Sequence, residues 1–349
     1  MEPRNNLSPL FYLGLPLVPL YFLGWKLRIA LYRREIIPQR RLGVKVISVG
    51  NLTVGGSGKT PLALYLVQRL KESGYRPAVL SRGFGRKGRE LLLVKRVEKL
   101  SPKDVGDEPY LLAKYGVPIL VGKDRFHTGR IAQTRGFFPL ILDDGFQYLS
   151  LYRDVDILII DSSNPWGNGL LLPAGLLREP LGAVRRAHII ILNRADQAGN
   201  LGDLKRKLLS LKEDIALFEA AYLPQSIHWL GEDEEISLRE LRGKGVYALS
   251  ALGNSSSFEK VLEDLGAILV GKRRFIDHHF YKRGEVEGVL KEAEKRGANW
   301  VVTTEKDEVK LSGFLHFKLP ILTLRMRMQI KEEGGFWRML EALLGKGDI

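Results

Sequence analysis

The sequence predicts an α/β protein built on a parallel sheet, and three observations carry that reading. Short apolar runs rich in β-branched residues recur along the first two thirds of the chain, separated by helical or loop spacers. One of them, Val44–Val49, leads directly into a glycine-rich loop closed by Lys59-Thr60. Another, Pro139–Leu142, ends in the paired acids Asp143 and Asp144. The length of 349 residues suggests about two domains at roughly 150 residues each. Hydrophobic residues at 45% and charged residues at 27% exclude disorder and low complexity.

The chain opens on 21 uncharged residues between Arg4 and Lys26, among them Phe11, Tyr12, Tyr21, Phe22 and Trp25. Lys26, Arg28, Arg33, Arg34, Arg40 and Arg41 follow. The stretch is just long enough for a membrane span of about 20 residues, but Pro9, Pro16 and Pro19 interrupt it. Aromatics followed by cations suit a segment lying in the bilayer interface. A helical hairpin buried in the protein's own core and a true span with the remainder in the cytoplasm are the alternatives. No small-residue cleavage site marks a secretory signal.

The next element is a strand over Val44–Val49, then the loop Gly50–Gly58, then a helix from Pro61 to Leu70 with apolar residues at helical spacing. Strand, glycine loop, Lys-Thr and helix form the phosphate-loop context. Thr53, Val54, Gly55, Gly56, Ser57, Gly58, Lys59 and Thr60 are the candidate nucleotide-phosphate-binding residues. Backbone N–H groups and a helix N-terminus face phosphate oxygens there. Lys59 would hold the β- and γ-phosphates and the Thr60 hydroxyl would ligate Mg²⁺. Thr53 stands where the usual pattern has its first glycine.

Asp143-Asp144-Gly145-Phe146-Gln147 follows a second buried strand, which places its acids on the ligand face of an α/β sheet, within reach of Mg²⁺. Strands are further expected at Ala78–Leu80, Val117–Val121, Val155–Ile160 and Ile189–Leu192. The acid ending the Val155 strand, Asp161, reads as ordinary strand-end chemistry. Asn193-Arg194-Ala195-Asp196 approximates the guanine-reading N-K-x-D, but the D-x-x-G of a GTPase switch is missing, since Leu142 lies three residues before Gly145. The loop also approaches that of partitioning ATPases, whose signature lysine is Val54 here.

The net charge of +14, from 54 Lys+Arg against 40 Asp+Glu, calls for an anionic partner: nucleic acid, an acidic membrane surface or a phosphorylated substrate. The absence of cysteine excludes disulfides, thiolate metal sites and cysteine nucleophiles. No aromatic–basic interleaving supports nucleic acid, and no motif for a protein partner is evident.

Seven ordered stretches resemble one family, the tetraacyldisaccharide 4′-kinases of lipid A biosynthesis. They are Ile47–Thr60, Leu80–Arg86, Gly106–Tyr110, Leu142–Gln147, Leu172–Gly175 with Leu177–Pro180, Phe275–His278 and Thr303–Asp307. The resemblance implies a phosphate-loop NTPase parallel sheet with a second, smaller α/β lobe and an N-terminal membrane-associated helix. It implies transfer of the ATP γ-phosphate to the 4′-hydroxyl of an acylated disaccharide 1-phosphate lipid at the cytoplasmic face of the inner membrane, by a peripheral or monotopic enzyme. By matching position it makes Asp107 the base, paired with His278 rather than His279. It assigns Mg²⁺ to Thr60, Asp143, Asp144 and Glu179, and faces Arg82, Arg125 and Arg178 to the substrate or nucleotide. Read without the resemblance, Asp107 is equally a helix N-cap. Phe84, Tyr148 and Ile276 stand where the family commonly has Tyr, His and Pro.

The expected organisation is a membrane-associated segment over 1–35, a kinase lobe over 36–225 and a C-terminal α/β lobe over 226–349, with an acidic break at Gly231–Glu235. Extended runs at Gly245–Ser250, Asn299–Thr304 and Leu319–Leu324, with a charged helix near Gly284–Arg296, make up the second lobe. Asp107 and His278 then fall in different lobes, so that lobe closure is expected to assemble the pair. The alternatives in other classes are a membrane-attached nucleotide switch and a nucleic-acid-binding ATPase.

Overall fold

The computed structural model describes residues 9–86, 92–94, 100–232, 234–311 and 317–345. Residues 1–8 of the N-terminal segment and Asp233 of the acidic break lie outside the described residues. The chain forms two compact units. The first comprises Met1–Ser81, Asp124–Ala221 and Gln329–Ile349, the second Arg82–Lys123 and Tyr222–Met328. Neither unit is the continuous stretch expected from the sequence. The boundary near 225 lies close to Ala221, but an excursion of the first half joins the second unit, and the C-terminus returns to the first.

In the first unit the strands run Ala78–Ser81, Leu140–Asp143, Val46–Gly50, Val155–Asp161, Ile189–Asn193 and the start of Ala216–Trp229, in that spatial order and all parallel. Val49 pairs with both Asp143 and Ile157, which sets the phosphate-loop strand between the aspartate strand and its neighbour. The first five of these strands are buried throughout. Their sequences are therefore near-continuous apolar runs rather than alternating ones, as parallel strands covered on both faces require.

The C-terminal return is a packing result. The helix Glu333–Leu344 buries Phe336 against the rings of Tyr65 and Phe218, at 6.3 and 5.5 Å. Trp337 donates to the Tyr65 hydroxyl at 2.9 Å, and Tyr65 donates to Glu333 at 2.8 Å. Tyr65 lies on Lys59–Glu72, the helix that follows the phosphate loop, so the last helix steadies that one.

The N-terminal segment forms a 3₁₀ stretch over Pro9–Leu17 and an α-helix over Val18–Arg33. The helix buries none of its residues, which removes the core-hairpin alternative. Among the described residues no helix is long and apolar enough to cross a membrane. One face touches the protein: Tyr21 donates to the Arg178 carbonyl at 2.7 Å, Trp25 to Glu179 at 3.0 Å and Arg28 to the Gln147 carbonyl at 2.9 Å. Leu20, Leu23 and Leu27, also at helical spacing, are 68%, 61% and 59% exposed.

The second unit carries a parallel sheet ordered Ile268–Arg274, Gly245–Ser250, Trp300–Thr304 and Ile321–Ile330. Alternate residues of Gly245–Ser250 serve opposite faces. Tyr247 and Leu249 pack with Val286, Val289 and Leu290 of the helix Arg283–Lys295, while Val246 and Ala248 pack with Phe258, Val261 and Leu262 of the helix Ser255–Asp264. Arg82–Lys123 adds an antiparallel pair, Leu92–Val94 with Ile119–Val121, and the helices Pro102–Val105 and Asp107–Lys114. The expected strand at Val117–Val121 thus exists in shortened form, antiparallel and outside the first unit.

Candidate active site

In the first unit, loop residues 51–58 join the strand Val46–Gly50 to the helix Lys59–Glu72. A side chain at Gly50 would come within 2.5 Å of Phe146, so the strand end and the Asp143–Gln147 turn approach as closely as backbones allow. Gly58 caps the helix at φ +103 without a side-chain cap, leaving first-turn N–H groups for an anion. The Ser57 hydroxyl is buried there with no hydrogen-bond partner among the described residues. Lys59 reaches back across the loop to Asn51 Oδ1 at 3.3 Å and to Asp144 Oδ1 at 3.6 Å. These donors fit the phosphates of a nucleotide.

Asp143 ends its strand buried, with Ser81 donating to it at 3.2 Å. Asp144 sits in the left-handed region at φ +50 and accepts from Arg178 Nη1 on both oxygens at 2.9 Å. Strain of this kind in a non-glycine residue is characteristic of functional turns. Burial alone would raise the Asp144 carboxyl, but Lys59, Arg178 and Arg125 outweigh it and hold the group below the usual carboxylate range. Among the described residues no three His, Asp or Glu side chains cluster as a complete metal cage. The oxygens of Thr60, Asp143 and Asp144 are of the kind that suits Mg²⁺, which takes one or two carboxylates and completes its shell with water and phosphate oxygens.

Glu179 has other partners: Arg186 at 2.7 Å and the Trp25 indole at 3.0 Å, in a buried position. Arg125 is buried over the Tyr148 ring at 4.4 Å, and the Tyr148 hydroxyl accepts from its backbone N–H. The phenol at position 148 therefore serves as a shelf for that guanidinium. Thr53 and Val54 are tied to the Leu177 segment, Thr53 by a β-bridge and Val54 N–H by a bond to the Leu176 carbonyl at 2.8 Å.

The second unit carries candidate residues of its own. Asp107, 3% exposed, is the first residue of its helix rather than its cap, since Gly106 occupies that position at φ +98. His278 Nδ1 lies 3.0 and 2.9 Å from the two Asp107 oxygens. His279 instead bonds Glu285 at 2.9 Å and stacks on Phe275. The lobe-closure expectation is corrected here: both partners of the pair belong to one unit, so its own packing assembles them. Burial pushes the His278 imidazole down, but the Asp107 carboxylate outweighs it and raises the group above its ordinary value. Burial likewise pushes Asp107 up, and His278 with Lys306 brings it below the usual range. Phe84 lies 5.3 Å from the His278 ring and is exposed, as are Arg82 and Ile276.

Two groups lie in stretches the sequence singled out but have roles it did not assign. Asn193 donates to the Ser57 carbonyl at 2.7 Å, and Arg194, at φ +52, donates to the Gly56 carbonyl at 3.2 Å while pairing with buried Asp161 at 2.5 Å. The residues that approximate a guanine-reading motif thus brace the phosphate loop. Their motif-like pattern and their place at adjacent strand ends were the signals, and neither pointed to a brace. The other is Lys306, which bonds Glu108 at 3.1 Å and Asp277 at 3.0 Å beside the Asp107–His278 pair.

A parallel sheet with a phosphate loop at one strand end and paired aspartates at the next defines a phosphate-loop NTPase. The model of one such family, tetraacyldisaccharide-1-P 4′-kinase, matches residues 10–345, and the chain belongs to that family. It is 39% identical to the tetraacyldisaccharide 4′-kinase of Syntrophus aciditrophicus over 99% of this chain and 96% of that protein. It is 43% identical to that of Anaeromyxobacter sp. strain K over 83% and 78% respectively. LpxK from Aquifex aeolicus, solved in complex with ATP, superposes with a TM-score of 0.73 at 31% identity, covering 95% of this chain and 98% of the other.

Proposed function

We propose that this chain is an ATP-dependent lipid kinase that phosphorylates the 4′-hydroxyl of a tetraacyldisaccharide 1-phosphate, producing lipid IVA for lipid A biosynthesis. The observation that carries the reading is the buried Asp107 carboxylate held on both oxygens by His278, in a chain whose other unit bears a phosphate loop. A kinase acting on a sugar hydroxyl needs both parts: donors for the nucleotide and a base for the acceptor.

The loop N–H groups and Lys59 hold the ATP phosphates, and Arg178 with Arg125 adds positive charge near Asp144. Thr60, Asp143 and Asp144 would hold Mg²⁺. When bound, Mg²⁺ neutralises charge on the β- and γ-phosphate oxygens. Asp107, ionised at neutral pH, accepts the proton of the 4′-hydroxyl as that oxygen attacks the γ-phosphorus and ADP leaves. His278 keeps the carboxylate oriented and stabilises its charge through Nδ1. Phe84, exposed at 5.3 Å from the His278 ring, and the exposed Arg82 would meet the acceptor.

The helix Val18–Arg33 suits a lipid surface. Its Leu20, Leu23 and Leu27 stripe is exposed, and the cations Lys26, Arg28, Arg33 and Arg34 follow or interleave it. A peripheral position at the cytoplasmic face of the inner membrane matches a substrate whose acyl chains stay in the bilayer.

The test is transfer of labelled phosphate from ATP to the disaccharide 1-phosphate in detergent micelles. Product carrying label on the 4′-oxygen, lost in Asp107→Ala, is expected. Label retained only as inorganic phosphate, with no lipid product, overturns the reading.

A further inference from the structure

We infer that Lys306 is a positioning residue for the Asp107–His278 pair: its ammonium ties Glu108, the residue after Asp107, to Asp277, the residue before His278. The inference rests on Asp107 being the base. Asp107 and His278 lie 171 residues apart, so something other than chain connectivity must hold their backbones in register. Lys306 bonds Glu108 Oε1 at 3.1 Å and Asp277 Oδ1 at 3.0 Å, and is itself largely buried. One point charge with three donors can bridge two carboxylates from separate segments in this way.

The Asp277 end of the clamp reaches a strained turn. His278 adopts φ +65, and its backbone N–H donates to Asp277 Oδ1 at 3.0 Å, the same oxygen that accepts from Lys306. The Glu108 end reaches the base directly, since the Glu108 backbone N–H donates to Asp107 Oδ1 at 2.9 Å. A non-glycine residue stays in the left-handed region only when its surroundings hold it there. Lys306 itself comes from the start of the helix Glu305–Leu311, just past the strand Trp300–Thr304. A residue at a strand end has a rigid base from which to fix two loops.

The charges around the pair are these. Asp107 faces His278, Lys306 and Lys310. Lys310 pairs with Asp307 at 2.9 Å. His278 also has Asp277 at 3.8 Å from its Nε2. Between the packed helices Asp107–Lys114 and Glu305–Leu311, Lys114 pairs with Glu308, and Glu305 meets Tyr115 and Arg325. Burial disfavours a charged lysine, but Glu108, Asp277 and Asp107 outweigh it, so Lys306 stays protonated. Its charge is one of the two main influences that hold Asp107 low.

The experiment measures kcat and the KM for ATP against pH for the full chain with lipid acceptor in micelles. The variants are Lys306→Met, Lys306→Arg, Asp277→Asn and, as reference, Asp107→Asn. Lys306→Met should lower kcat by about 10²-fold, the scale of misplacing a reacting group. It should leave the KM for ATP unchanged and move the acid limb of kcat to higher pH. Lys306→Arg should recover part of the rate, and Asp277→Asn should lower kcat less than Lys306→Met at an unchanged KM for ATP. Wild-type kcat and acid limb in Lys306→Met, with turnover lost in Asp107→Asn, would overturn the role of Lys306 alone. Turnover retained in Asp107→Asn would remove the base reading and this inference with it. Should Lys306→Met fail to fold, wild-type kcat in Asp277→Asn overturns the clamp.

Discussion

Asp144 and Asp107 are two carboxylates held below their ordinary range by opposite kinds of neighbour. Asp144 is surrounded by the ammonium of Lys59 and the guanidiniums of Arg178 and Arg125. Asp107 has the charges of Lys306 and Lys310 nearby, but its closest partner is the His278 imidazole, which the carboxylate itself raises above its ordinary value. The contrast separates fixed negative charge from proton exchange. Asp144 can offset and orient cations without changing state, whereas Asp107 can take a proton beside a group able to respond to it.

The sharpest way to break this comparison is to remove the proposed proton acceptor. Asp107→Ala should lower kcat by about 10²–10⁴-fold with little change in the KM for ATP. Removing the phosphate-loop cation comes next. Lys59→Ala should cost about 10²–10³ in kcat, the scale of losing one preorganised donor, and should weaken nucleotide binding measured with a fluorescent ATP analogue.

Arg178→Met tests the fixed-charge side and should have a smaller effect. Without its bidentate partner the Asp144 carboxyl rises toward its ordinary value, and the expected result is a several-fold increase in the KM for ATP. An unchanged KM would show that Arg178 serves only to anchor the turn.

The proton-exchange side has a stability signature. The His278 imidazole is raised in the folded state, so its stabilising contribution is full below the unfolded pKa of about 6.5 and is lost as pH rises through the higher folded value. The Tm deficit of His278→Ala relative to wild type should therefore be larger at pH 6 than at pH 9. A deficit independent of pH would mean that ring packing against Phe84 dominates.

The smallest expected effect concerns membrane contact. Replacing Leu20, Leu23 and Leu27 by Gln should leave turnover on a short-chain soluble acceptor intact and reduce co-sedimentation with anionic vesicles.

Much of the first unit was legible because its signals are local. The order strand, glycine loop, Lys59-Thr60 and helix is a contiguous pattern, and so is a buried strand ending in Asp143-Asp144. The brace from Asn193, Arg194 and Asp161 showed in the sequence as strand-end polar residues and an approximate guanine-reading motif, not as a brace, because the loop partners of Asn193 and Arg194 are backbone carbonyls that any loop possesses. The second unit was less legible. The stretch 82–123 follows a strand of the first unit in the chain, yet its apolar Val94, Val105, Leu112 and Leu120 are buried in the second. Helical and strand periodicity state that a face is apolar, not which face it will meet.

From sequence alone came the phosphate loop, the acids beside it, the parallel α/β class and, through the resemblance, the identities of Asp107 and His278. These depend on short-range backbone chemistry or on ordered motifs. The tertiary structure alone decided that Asp107 and His278 share one unit, that the last helix returns to steady the phosphate-loop helix, and that Glu179 binds Arg186 and Trp25. It also decided that Lys306 joins the two segments of the pair. Each of these is a contact between residues far apart in the chain, chosen by which apolar faces and buried charges could satisfy one another, and neither spacing nor composition carries that information.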